Sequence, residues 1–158
     1  MSNIHITEID AQNPALSSAA MLFDRYRRFY GQPANLAKAH AFLSGRLKAG
    51  ESTVLLARLK DQWIGFCQLY RGFSSIACAR TVVINDLYVE ASHRSIGVGR
   101  ELIARAIAIA EREGAGCLVL ETAEGNTRAQ ALYESMGFER SPGFVSYGLN
   151  LESAGGSA

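Results

Sequence analysis

The sequence predicts an α+β fold in three layers, a mixed and mostly antiparallel twisted sheet flanked by helices. Three observations predict it. Strand-like runs lie close together at residues 53–59, 63–70 and 79–89, separated by short turns, which is the pattern of antiparallel hairpins. The second half then alternates strand, helix and strand, which requires a crossover and a parallel pair in the same sheet. Hydrophobic residues make up 48% of the 158, enough for one packed core and too few residues for two comfortable domains.

Each element has a local reason. Ile4, Ile6 and Ile9 around His5 and Thr7 read as a first strand. Asn13-Pro14 opens a helix, because proline suits a first turn. Leu16, Ala19, Ala20, Phe23 and Tyr26 then recur at helical spacing until Gly31. Gln32-Pro33 interrupts the chain, and Asn35 caps a second helix that reaches Lys48 and stops at Ala49-Gly50. The three clustered strands follow, with Lys60-Asp61-Gln62 as one turn and residues 71–75 as a loop. A helix over residues 99–113 is closed by Gly114-Ala115-Gly116, and residues 117–121 form a buried strand. Asn126 starts a fourth helix ending at Gly137. Residues 144–151 alternate as a last strand, with a further short strand at 138–139, for six to seven strands and four helices in all. One domain is expected over residues 1–152, with a frayed tail at 153–158.

Composition excludes several classes of function. A net charge of +1 offers nothing that would recruit nucleic acid or an anionic membrane. No apolar run has the length of a membrane span, and the first residues lack the basic-then-apolar order of a signal peptide. Cys67, Cys78 and Cys117 are widely spaced with no C-x-x-C pair, so they read as reduced, buried, small hydrophobes of a cytoplasmic protein. His5, His40 and His93 have no metal-ligand spacing, and no metal is expected.

The chemistry concentrates where the strand over 79–89 meets the following helix. The connecting loop holds Arg94, Ser95, Ile96, Gly97, Val98, Gly99 and Arg100. Glycines let a backbone approach a ligand closely, and amides at a helix start carry the positive end of its dipole. Arg94 and Arg100 add charge suited to phosphate. A plain turn with two solvated arginines fits these residues as well.

Arg94-x-x-Gly97-x-Gly99 after a strand resembles the acetyl-CoA pyrophosphate loop of the GNAT N-acetyltransferase superfamily. Asn126-x-x-Ala129-x-x-Leu132-Tyr133-x-x-x-Gly137-Phe138, about thirty residues on, resembles its second signature. The resemblance spans residues 81–138 by motif and implies a GNAT-type fold. It implies that main-chain groups of residues 96–100 hold the pyrophosphate of acetyl-CoA. Main-chain groups of Leu87, Tyr88 and Val89 would pair with the pantetheine arm, and a bulge in that strand can aim an N–H at the thioester oxygen. Asn126, a helix cap on any reading, would also touch the coenzyme. Tyr133 would give a proton to the departing thiolate, since a thiol resembling cysteine has a pKa of roughly 8.5 against about 10 for a phenol. Plain packing on a helix face is the other reading of Tyr133.

The acceptor side is thinner. A lysine-like amine has a pKa of about 10.4, so a base must take its proton. Asp86 is the nearest carboxylate to the reaction point, and Glu121 is its rival. The resemblance to spermidine/spermine acetyltransferases carries a glutamate just before that aspartate, where this chain has Asn85, which weakens a polyamine assignment. Tyr30, Gln32, Tyr70 and Phe73 sit at loops that rim the acceptor pocket in the superfamily, where aromatic rings suit a cation, though ordinary packing also explains them. The expected activity is direct transfer of acetyl to a primary amine, protein lysine slightly ahead of small amines through likeness to the small histone-acetyltransferase-like members. A homodimer is expected by the same likeness. A non-catalytic acyl-CoA sensor is the alternative.

Overall fold

A computed structural model describes residues 3–152, so the tail expected to fray at 153–158 lies outside the described residues. The order is β1 (Ile4–Ile9), α1 (Leu16–Phe29), α2 (Leu36–Lys48), β2 (Ser52–Leu59), β3 (Gln62–Ser74), β4 (Ala79–Val89), α3 (Val98–Arg112), β5 (Cys117–Leu120) and α4 (Thr127–Ser135). The chain divides into two compact units at Ala123/Glu124, and only α4 among these elements falls in the second.

The first unit is a five-stranded sheet in the order β1-β2-β3-β4-β5. The first four strands are antiparallel neighbours, and β5 runs parallel to β4. Helices cover both faces, as strand alternation demands. Phe66 belongs to a core cluster with Val54, Leu56, Phe23, Ala39 and Leu43, which places α1 and α2 on one face. Its neighbour Gly65 points the other way, where a Cβ would meet Val98 and Leu102 of α3. Local chemistry set the helix starts. Asn35 Oδ1 accepts from Lys38 N at 3.0 Å, and the α1 entrance is tied by Asn13 Oδ1 accepting from Ala15 N at 2.9 Å.

Three expectations need correction. The described residues hold five strands rather than six or seven, because residues 138–151 form none. Phe144, Val145, Tyr147, Leu149 and Leu151 are each between 77% and 92% exposed. Their alternation suits a strand, but a strand exists only where a neighbour takes its backbone hydrogen bonds. Secondly, β3 runs through residues expected to be loop and reaches Ser74 opposite Ala79. Thirdly, only Cys67 is buried, while Cys78 and Cys117 are exposed. Cys78 sits in the turn over residues 75–78, and Cys117 begins β5. That strand was expected to be buried, yet as the sheet edge it leaves Val119 41% exposed. Among the described residues no helix is long and apolar enough to cross a membrane, and no group of His, Cys, Asp or Glu is arranged to hold a metal.

Candidate active site

The β3–β4 ladder shifts register between Gln68 and Leu69, which face Asp86 and Ile84. Asn85 is therefore the extra residue of a β-bulge, and its side chain is exposed while Asp86 is 6% exposed. Asn and Asp are poor strand formers; a polar pair inside Val82-Val83-Ile84-Asn85-Asp86-Leu87 is the one local sign of that bulge. The Asp86 carboxylate is held on two sides. Gln68 Nε2 donates to Oδ2 at 2.8 Å, and Asn85 Nδ2 donates to Oδ1 at 3.2 Å. Tyr70 lies near this cluster, and burial, with the Asp86 charge adding to it, pushes its phenol up to about 12. Burial also drives the Cys67 thiol far up, again with help from Asp86. A thiol held protonated is a poor nucleophile.

Beyond the bulge, β4 parts from β5. Their pairing ends at Ile84–Leu120, so residues 86–89 have β3 on one side and no β5 residue on the other. Glu121, exposed, follows Leu120 at this fork. After β4 comes a single 3-10 turn over Ala91–His93, then Ser95 at φ +70° and Gly97 at φ +96°. Gly97 is the N-cap of α3 and supplies no side-chain cap bond. The first amides of the helix thus leave its end without the side-chain oxygen that capped α2. Val98, 1% exposed, anchors this turn to the sheet, while Ile96 is 42% exposed. Two left-handed residues within three positions turn the chain sharply just before the helix.

The second unit carries the other signature. Asn126 Oδ1 accepts from Ala129 N at 3.2 Å and caps α4. Tyr133 packs against Phe138, ring centroids 6.1 Å apart. Gly137, at φ +92°, lets the chain leave the helix.

The model of the acetyltransferase (GNAT) family matches residues 19–138. The chain belongs to the GNAT family of acetyltransferases. It is 42% identical over 141 residues to the "Uncharacterized N-acetyltransferase YhfO" of Bacillus subtilis (strain 168), covering 89% of this chain and 95% of that one. It is 31% identical over 122 residues to a "Probable acetyltransferase" of Haemophilus influenzae, covering 77% of this chain and 82% of the other. A crystal structure described as "a probable acetyltransferase" superposes with a TM-score of 0.84 at 34% identity, covering 93% of this chain and 97% of that one. The α+β architecture is thus the GNAT fold, and N-acetyltransferase activity is the family's general chemistry.

Against that family frame, several residues singled out from sequence come together in the first unit. Tyr30 packs edge-on against Tyr26 at 5.0 Å and Phe29 at 5.3 Å. Tyr26 in turn meets Tyr88 at 6.4 Å. The Arg94 guanidinium lies over Phe29 and Tyr88, 5.7 and 5.9 Å from the ring centres, and its Nε donates to the Val89 carbonyl at 3.0 Å. One aromatic shelf therefore links the end of α1 to β4 and to the glycine loop. Burial, then the Glu90 carboxylate, raises the Tyr88 phenol; Glu90 itself is paired with Arg25 of α1. The connection carrying Gln32 is pinned by buried Asp24, whose Oδ1 accepts from Asn35 N at 2.9 Å.

Phe73 lies elsewhere. It pairs with Arg80 near the hairpin end, 75% exposed, under the Arg80 guanidinium. It stands five positions beyond Gln68 along β3, about 17 Å of strand. Sequence reasoning missed Gln68, Phe29 and the Arg25–Glu90 pair. Only Gln68 left a trace, as a polar residue inside Ile64-Gly65-Phe66-Cys67-Gln68-Leu69.

Proposed function

We propose that this protein transfers acetyl from acetyl-CoA to a primary amine in one direct step. The observation that carries the reading is the pairing of a left-handed, uncapped glycine start to α3 with a β4 edge that β5 abandons after Ile84. The first suits a pyrophosphate, through amides of residues 96–100 and the cations Arg94 and Arg100. The second suits an amide-bearing arm, which can add itself to main-chain groups of Leu87, Tyr88 and Val89 as a strand would. A Cβ at Gly97 would meet nothing within 4 Å, so the space beside that residue is open.

In this reading Asp86 receives the acceptor's ammonium and takes its proton, directly or through water, with Glu121 as the rival base. The amine nitrogen then bonds to the thioester carbon. A main-chain N–H at the bulge donates to the thioester oxygen as negative charge develops there, an interaction worth on the order of 2.7–4 kcal/mol. Tyr133 donates its proton to the sulfur as the C–S bond breaks, the second proton lost by the nitrogen as the amide forms restores the phenol through water, and Asn126 binds the arm. Holding both reactants together supplies the orientation advantage. No cysteine need carry the acetyl group.

The acceptor is a cationic primary amine, because a buried carboxylate beside Tyr70, with Tyr30 and Gln32 on the α1–α2 connection, suits a positive charge. Protein lysine stands slightly ahead of small amines by the resemblance, which also carries a cytoplasmic homodimer. The test is thiol release from acetyl-CoA with lysine peptides, polyamines, amino acids and aminoglycosides, using wild type and Tyr133→Phe. Turnover should fall roughly 10²- to 10⁴-fold in the variant with coenzyme A binding retained. Coenzyme binding without transfer to any amine would favour an acyl-CoA sensor.

A further inference from the structure

Gln68 stands at the centre of the sheet, on β3 between Val54 of β2 and Asp86 of β4, and is 0% exposed. A glutamine in that position is expensive. Burying an amide costs free energy unless its groups are bonded. Its Nε2 is spent on Asp86 Oδ2 at 2.8 Å, and the same side chain interacts with the Tyr70 phenol. Its Oε1 is buried with no hydrogen-bond partner. Chemistry fixes which way the amide faces, since the reverse would set a carbonyl oxygen against a carboxylate. An apolar residue of the same size would pack there without leaving an orphaned oxygen. What glutamine supplies and an apolar residue does not is the hydrogen bond to the carboxylate, together with the polar contact to the Tyr70 phenol.

We propose that Gln68 is a positioning residue of the acceptor site: its buried carboxamide fixes the Asp86 carboxylate in the orientation that receives the acceptor ammonium. The proposal rests on the reading of Asp86 as the acceptor's partner. Asp86 follows a bulge, a feature that re-aims a side chain, so regular strand geometry alone does not set its carboxylate. Exposed Asn85 bonds one oxygen from the same strand. Gln68 bonds the other from the neighbouring strand and cannot move, being enclosed. Two donors on different strands leave the carboxylate one orientation, and the outward lone pairs remain for an ammonium.

The test uses acetyl-CoA with a lysine peptide, spermidine and kanamycin, and the variants Gln68→Met, Gln68→Glu and Asp86→Asn. Methionine keeps length and volume without the donor. Gln68→Met should raise KM for the acetylated amine about tenfold or more, the effect of losing a hydrogen bond to a charged group. KM for acetyl-CoA and the circular dichroism spectrum should stay as in wild type. Gln68→Glu should recover amine affinity as pH falls, because two adjacent carboxyls share a proton and the protonated glutamic acid again donates to Asp86. Packing alone would produce no such pH dependence. Wild-type KM for every amine in Gln68→Met overturns the proposal. So does a crystal structure of Gln68→Met with the Asp86 carboxylate unmoved, which decides the matter even if none of the three amines is acetylated. Unchanged amine kinetics in Asp86→Asn would instead remove the role of Asp86, and the proposal with it.

Discussion

Replacing Gly65 by alanine should push the start of α3 off the sheet. A Cβ there would lie 2.9 Å from Val98 Cγ1, 3.1 Å from Leu102 Cδ1 and 3.2 Å from Ala57 Cβ. Carbon atoms rest at about 3.5–4.0 Å, so the Val98 contact must open by roughly 0.5 Å or more. Val98 is β-branched and stiff, and it is 1% exposed, with Leu102 at 0%. Neither can swing into solvent, so the backbone of the first helical turn must give. Overpacking of this kind costs about 1–3 kcal/mol, or roughly 2–12 °C in Tm for a chain of this length. Val98 follows Gly97 directly, so the shift reaches the proposed pyrophosphate amides, and KM for acetyl-CoA should rise. Thermal and urea denaturation with acetyl-CoA kinetics would measure both effects. Adding Val98→Ala removes the clashing methyl, so the two changes should couple by about 0.5–3 kcal/mol in the favourable direction. An unchanged Tm in Gly65→Ala, or strict additivity in the double variant, would refute the argument.

Two further outcomes follow from the same geometry. Gly97→Ala should cost about 1–3 kcal/mol through its φ of +96° alone, because the site is open and no clash contributes; a rise in KM for acetyl-CoA should accompany it, and a variant as stable as wild type would contradict the strain. In an absorbance titration, one of the six tyrosines should titrate near about 12, and Asp86→Asn should bring it down. The unfolded phenol titrates near about 10, so between those two values the folded state keeps a proton the unfolded state has lost. The stability tied to Tyr70 is therefore complete below pH 10 and disappears as pH rises toward 12; denaturation midpoints that stay flat across this range would rule it out.

Much of the first unit was legible because its signals are local. The Asn35 cap, the glycines closing each helix and the span of β4 at Ala79–Val89 depend on residues a turn apart. The glycine loop was legible for the same reason: its residues are contiguous, and one of its two left-handed positions, Gly97, is a glycine. The last strand was misread because alternation reports only which faces a strand would show. It does not say whether another backbone will pair with it. The cysteines were misjudged similarly, since Cys117 sits in an apolar run whose burial depends on being an inner strand, and β5 is the edge.

The sequence by itself determined the four helices, the first five strands in outline, the family and the position of the glycine loop, because each is written in short stretches of chain whose conformations are set by neighbours. Only the tertiary structure decided where the bulge falls, which buried amide holds Asp86, that Arg94 rests on Phe29 and Tyr88, and that Phe73 lies at the far end of the β3–β4 hairpin from the carboxylate. Those facts follow from strand register and from packing between elements distant in sequence. A one-residue slip in register sends a side chain to the opposite face, and nothing local in the chain records it.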